Sequence, residues 1–204
     1  LRLGESLRGE PGIIGHLLRI ACDAAAVSGL ERTLNATVFS DNQLSQLQDI
    51  LNAIADRLDF SRVVVTEQCF MIEFCREPLR MEETRKSRTF FRLFSDQGLG
   101  DVLAYAGDYI EASKLPLTER LARVHAIDQS LEDLSFFWHM LAKLTAPDVS
   151  RIVELDLRMR AHLDLAQTSL AIERYRLATG EVPERLGALA PQYLDAVPID
   201  TFDG

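Results

Sequence analysis

Apolar residues recur along most of this chain at steps of three and four, the spacing that lines one face of an α-helix. The clearest run is Leu44, Leu47, Leu51, Ile54 and Leu58, which predicts a seam facing a partner helix. Just ahead of it, Ser40 and Gln43 have the spacing of a capping box, and Phe39 and Leu44 that of a hydrophobic staple. The longest uninterrupted pattern runs from Pro147 to Gly180. Proline and aspartate at its start suit the free N–H groups and dipole of a first helical turn. Glycine at its end tolerates the left-handed conformation that stops a helix. Ile152, Leu155, Met159, Leu163, Ala166, Leu170 and Leu177 form one stripe, while Leu157, Ala161, Leu165, Ile172 and Tyr175 lie off it. A helix apolar on more than one side needs neighbours on more than one side, so this one is predicted to be the inner helix of a bundle.

The other elements follow in order. Glu10-Pro11 opens a helix to about Leu34, with Ile13, Leu17, Ile20, Ala24 and Val27 on one face and many small residues that permit close approach. A third helix runs from about Asp59 to Glu77 and ends before Pro78. Residues 79–100 carry no clear period. Asp101 is placed to cap a short helix through Ser113, with Val102, Leu103, Ala106 and Ile110 inward. Leu115-Pro116 breaks the chain, and a long helix to about Thr145 carries Leu117, Leu121, Val124, Ile127, Leu131, Leu134, Trp138 and Leu141. Loops are short and strand signals nearly absent. The predicted fold is all-α, a multi-helix antiparallel bundle around a long central helix at about 147–179. Residues 1–180 form the bundle, and 181–204 a short irregular tail packed on it.

Composition narrows the setting. A chain of 204 residues with 47% hydrophobic and 26% charged residues is globular and needs no metal or disulfide staple. A net charge of −9 argues against general nucleic-acid binding, which demands a basic face. No unbroken run of 18 apolar residues occurs, so membrane attachment is expected only through an anchor outside the chain. The start at Leu1 and the end at Asp203-Gly204 suggest an excised fragment. Cys22, Cys69 and Cys75 are an odd set, read as buried thiols acting as small hydrophobes.

Candidate chemistry centres on Glu67. It falls on the stripe Phe60, Val63, Glu67, Phe70, Phe74, where an ionised carboxylate is costly unless paired or protonated. It is a candidate catalytic residue, a general acid or base with a raised pKa. The structural alternative is a core ion pair, with Arg174 or Arg176 as partner, or a hydrogen bond to a helix end. His125 and Asp128, three residues apart, are candidate metal ligands. Glu-x-x-His, His-Glu-x-x-His and Cys-x-x-Cys motifs are all absent, and no cofactor is expected. Nucleophile-elbow and phosphate-loop motifs are absent too. The segment Arg80–Arg92 mixes basic and aromatic residues, and Phe136-Phe137-Trp138 is a compact aromatic run. Both are read as packing against the bundle in preference to ligand contacts.

The last 30 residues carry a further pattern: Tyr175, Gly180, Pro183, Leu186, Leu189, Pro198, Asp200, Phe202 and Gly204. This string resembles the segment after the long helix in type II secretion pseudopilins, with Thr201 where that family usually has proline. Upstream, Arg151, Glu154, Asp156, Arg158 and Arg160 make the helix amphipathic, unlike the apolar membrane segment of a pilin. The whole chain is similar to uncharacterised bacterial envelope proteins in which a helical region precedes this pilin-like tail. Those relatives often carry a Gly-Glu-Arg step where this chain has Thr66-Glu67-Gln68. The resemblance implies a membrane-anchored, extracytoplasmic setting and brings no activity with it. A non-catalytic interaction or scaffold module with a protein partner is therefore the leading expectation. A hydrolase-like enzyme using Glu67 and a pseudopilin-like secretion component are the alternatives.

Overall fold

The computed structural model describes residues 12–56, 60–76, 100–135, 143 and 148–200, without the side chains at 71 and 74–76. The fold is all-α. Helices α1 (Ile13–Ala36), α2 (Asp41–Ala55), α3 (Phe60–Arg76), α4 (residues 100–113) and α5 (Leu117–Glu132) accompany the 31-residue α6 (Val149–Thr179). No strand occurs among the described residues. The backbone divides into two compact units. One gathers the described residues 17–56 and 155–200, the other 12–16, 60–76, 100–135, 143 and 148–154. Residue 180 thus lies inside the first unit, whose tail belongs with the end of α6.

In the first unit α2 begins as its sequence demands. Ser40 accepts from the Gln43 amide, and the Gln43 side chain accepts from the Ser40 amide at 2.9 Å, a complete capping box. Behind it, Leu44, Leu51 and Ile54 are buried with Met159, Leu163, Ala166 and Leu170 of α6 and with Ile20 and Val27 of α1. Phe39 and Leu47 pack against the same cluster, while Leu58 lies outside the described residues. Each fully buried Leu, Ile, Val or Met of this cluster is worth about 1.5–3 kcal/mol when removed from water, which holds the three helices together in this unit.

The predicted stripe on α6 ends sooner than expected, because Leu177 is exposed, as is Leu165 off the stripe. A separate cluster covers another part of the helix. Ala171 is buried with Leu189 and Leu194 from the tail, and Ile172, Tyr175 and Tyr193 pack around them. Gly180, at φ +83°, ends α6, and its amide donates to the Arg176 carbonyl at 2.8 Å. A side chain there would be strained. After it the chain forms a 3-10 turn at Leu186–Leu189.

Helix α1 differs from its sequence reading in one respect. Arg19 and Asp23 interrupt any continuous apolar run. One 18-residue stretch of α1 is nonetheless apolar enough, and the helix long enough, to cross a membrane by length and composition. Within the first unit the same helix supplies Ile20 and Val27 to the core.

In the second unit α3 buries Phe60, Val63 and Val64, α4 buries Val102, Ala106, Tyr109 and Ala112, and α5 buries Val124, Ile127 and Leu131. The inward face of α4 is therefore rotated from the predicted one: Leu103 is exposed, and Tyr109 and Ala112 take its role. Asp101 stands inside α4, which already includes residue 100. The predicted helix to Thr145 stops at Glu132. The Asp133 amide caps it on the Gln129 carbonyl, and Lys143 donates to the carbonyls of Glu132 (2.7 Å) and Leu134 (2.8 Å). A cation reaching these terminal carbonyls closes a helix without glycine or proline, so no breaker marks the place. Pro11, residues 77–99 with the Arg80–Arg92 segment, Phe136-Phe137-Trp138, His139, Leu141, Pro147 and residues 201–204 lie outside the described residues.

Candidate functional site

Glu67 lies in the second unit, one turn beyond Val63 and Val64 on α3. It is half-buried, and the next aromatic on its stripe, Phe70, is 61% exposed. The stripe thus leaves the core at Glu67, and the carboxylate stands at its margin, not in its centre. Its Oε2 accepts from the Ile13 amide at 3.4 Å, and the backbone at Gly12 passes beside it. A carboxylate at the first turn of a helix satisfies a free N–H and meets the positive end of the dipole. Of the structural alternatives, the helix-end hydrogen bond is the one formed. The proposed arginine partners are occupied in the other unit: Arg174 binds Asp41 at 2.7 Å and Gln48 at 2.8 Å, and Arg176 binds Glu173.

Glu67 borders an apolar cavity of about 40 Å³, walled mainly by Phe60, Val63, Val64, Val102 and Ala106. Such a space admits at most a few waters. Small-molecule sites are roughly ten times larger. Gln68 also lines it and donates its amide to the Ala106 carbonyl, tying α3 to α4. Ser61 makes a second tie, to the Ser113 carbonyl at 3.4 Å.

Asp128, the candidate metal ligand, has both oxygens engaged. Oδ1 accepts from the Tyr109 hydroxyl, and Oδ2 accepts from the Ser150 amide at 3.1 Å. One carboxylate on α5 therefore fastens α4 and supplies an acceptor to the first turn of α6. Asp148 adds a local cap there, accepting from the Arg151 amide at 3.0 Å. Burial first, then the hydrogen bond and charge of Asp128, push the Tyr109 phenol far above its ordinary pKa. His125 is exposed, with Nε2 3.8 Å from Glu154, which also binds Arg151 at 3.2 Å. The two candidate ligands thus serve different partners. Among the described residues no group of three His, Cys, Asp or Glu side chains is placed to hold a metal ion.

Of the other histidines, His16 is fully buried and His162 is exposed. Cys69 is exposed and Cys22 half-buried, both free thiols, so burial does not explain Cys69. Sequence reasoning also missed Gln48, Gln68 and Tyr109, each a polar group inside an apolar face. Period-counting scores such residues as interruptions. Their partners are backbone carbonyls or side chains on distant segments, which the sequence pattern does not mark.

No protein-family model, curated protein or solved structure matches this chain.

Proposed function

We propose that the chain is a non-catalytic interaction or scaffold module of a bacterial envelope protein. The observation that carries this reading is how the candidate chemical groups are spent. Glu67 accepts from the first turn of α1, and Asp128 accepts from α4 and α6. Acids used in this way hold helices in register, and the space beside Glu67 is apolar and too small for a substrate. The envelope setting rests on the resemblance of the tail to pseudopilins. A long helix ending at a left-handed Gly180 and followed by a leucine-bearing turn at Leu186–Leu189 is consistent with it. An apolar N-terminal helix is compatible with a signal or anchor.

The test is crosslinking in cells that express the full-length protein, with photoreactive residues at exposed positions of both units. A discrete adduct with a second protein, on the extracytoplasmic side by protease accessibility, is the expected result. Hydrolysis of any ester, amide or glycoside substrate that disappears in a folded Glu67→Gln variant would overturn the reading.

A further inference from the structure

We infer that a groove in the first unit is the docking surface for an extended basic segment of a protein partner, its lysine or arginine side chains flanked by apolar ones. This deepens the interaction reading above and rests on it. The groove, of about 630 Å³, runs between α2, α6 and the tail. Its apolar wall is the irregular stretch after Leu194, where Val197 and Ile199 are 37% and 73% exposed. Aliphatic side chains exposed along one wall of a groove suit a peptide lying against them.

Charge selects the occupant. Asp49 of α2, Asp164 of α6 and Asp195 of the tail all line the groove. The cation among the lining residues, Arg174, is already committed to Asp41 and Gln48 and lies over the Tyr193 ring at 5.5 Å. Among the described residues neither Asp49 nor Asp195 forms an ion pair. Burial raises the Asp164 carboxyl, and Arg160, itself bonded to Asp156, offsets only part of that. A cation from a partner meets three carboxylates around one groove with a single aliphatic wall, whereas an acidic segment is repelled.

The experiment compares two fluorescent peptides on the whole chain, one alternating leucine with lysine, the other leucine with glutamate. The lysine peptide is expected to bind, to weaken with salt, and to shift the backbone resonances of Asn52, Val197 and Ile199. The triple variant Asp49→Asn, Asp164→Asn, Asp195→Asn should lose about tenfold or more in affinity, and Ile199→Ser, which removes apolar contact without adding charge, should also weaken binding. Neutralising three exposed acids elsewhere (Glu31, Glu119 and Asp133) should change little, which separates the groove from the chain's overall negative charge. Equal binding of both peptides, shifts confined to other surfaces, or no loss in the triple variant overturns the inference. So does self-association abolished by Ile199→Ser, which would make a second copy the occupant. If crosslinking to a partner in cells persists in the triple variant, the groove is excluded and the interaction reading stands. If no discrete adduct forms even with the unaltered chain, the interaction reading itself falls.

Discussion

In the first unit, Leu44, Leu51 and Ile54 meet Leu163, Ala166 and Leu170 in a continuous aliphatic seam. In the second, buried aliphatics from α3, α4 and α5 share the interior with side chains that reach across to neighbouring helices. Gln68 reaches Ala106, Ser61 reaches Ser113, Tyr109 reaches Asp128, and Asp128 reaches Ser150. Apolar contact is non-directional and tolerates small slips, whereas a hydrogen bond to one backbone atom fixes which turn faces which. The second unit also retains a cavity of about 40 Å³, worth roughly 1 kcal/mol of lost packing at about 24 cal/mol per Å³. The seam supplies energy, and the polar ties supply register.

The largest expected effect breaks the seam. Leu163 has no exposed surface at the centre of the first cluster, so Leu163→Ala should cost about 2–5 kcal/mol in denaturant unfolding. A cost below about 1 kcal/mol would show that the three helices are not held there.

Next comes the junction at Asp128. Asp128→Ala strands the buried Tyr109 hydroxyl and removes the acceptor for Ser150, an expected loss of about 2–3 kcal/mol. Tyr109→Phe removes only the donor and leaves Asp128 Oδ1, on a half-buried side chain, open to water, so it should cost only about 1 kcal/mol. The phenol also sets a pH dependence. In the unfolded chain tyrosine ionises near pH 10. In the folded chain burial and Asp128 hold Tyr109 protonated well beyond that. The unfolded state therefore binds fewer protons above about pH 10, and stability falls as pH rises through that region. Tyr109→Phe should show a shallower alkaline loss in parallel melts. Identical slopes for both proteins would remove Tyr109 from the account.

How much of this was legible in the sequence follows the same division. The seam is written in steps of three and four, and the α2 cap in Ser40 and Gln43, because both depend on residues within a turn or two. The all-α class and the end of α6 at Gly180 were readable for the same reason. Asp128 was readable only as a charge three residues from a histidine, since the distant Tyr109 and Ser150 give it its role. Glu67 stood out as an interruption, but the pattern could not say that Phe70 beyond it faces solvent. The end of α5 at Glu132 was hidden because Lys143, not a local breaker, meets its last carbonyls.

The polar tie of the first unit is a milder test of the same contrast. Gln48 donates to the Tyr193 carbonyl at 3.0 Å and accepts from Arg174 at 2.8 Å, so one side chain joins α2 to the tail and to α6. Gln48→Ala should cost about 1–2 kcal/mol, with the loss concentrated in the tail. Hydrogen exchange should quicken at Tyr193 and Leu194, whose amides bond to Leu189, before it quickens along α2. Uniform acceleration across the unit would mean that the tail and the seam open together.

The smallest effect is expected at Glu67. A half-buried carboxylate with one hydrogen bond to a helix end contributes about 0.5–1.5 kcal/mol, far below the cost of stranding a buried ion pair. Glu67→Gln keeps an acceptor for the Ile13 amide and loses only the attraction of the charge for the helix dipole, so it should fall within about 0.5 kcal/mol of the unaltered chain. Glu67→Ala should cost about 1 kcal/mol and increase exchange at the first amides of α1. A loss of 3 kcal/mol or more in Glu67→Ala would instead reveal a paired, buried charge, the arrangement an acid–base centre requires. The contrast between the two substitutions thus separates an acid that caps a helix from one held ready for chemistry.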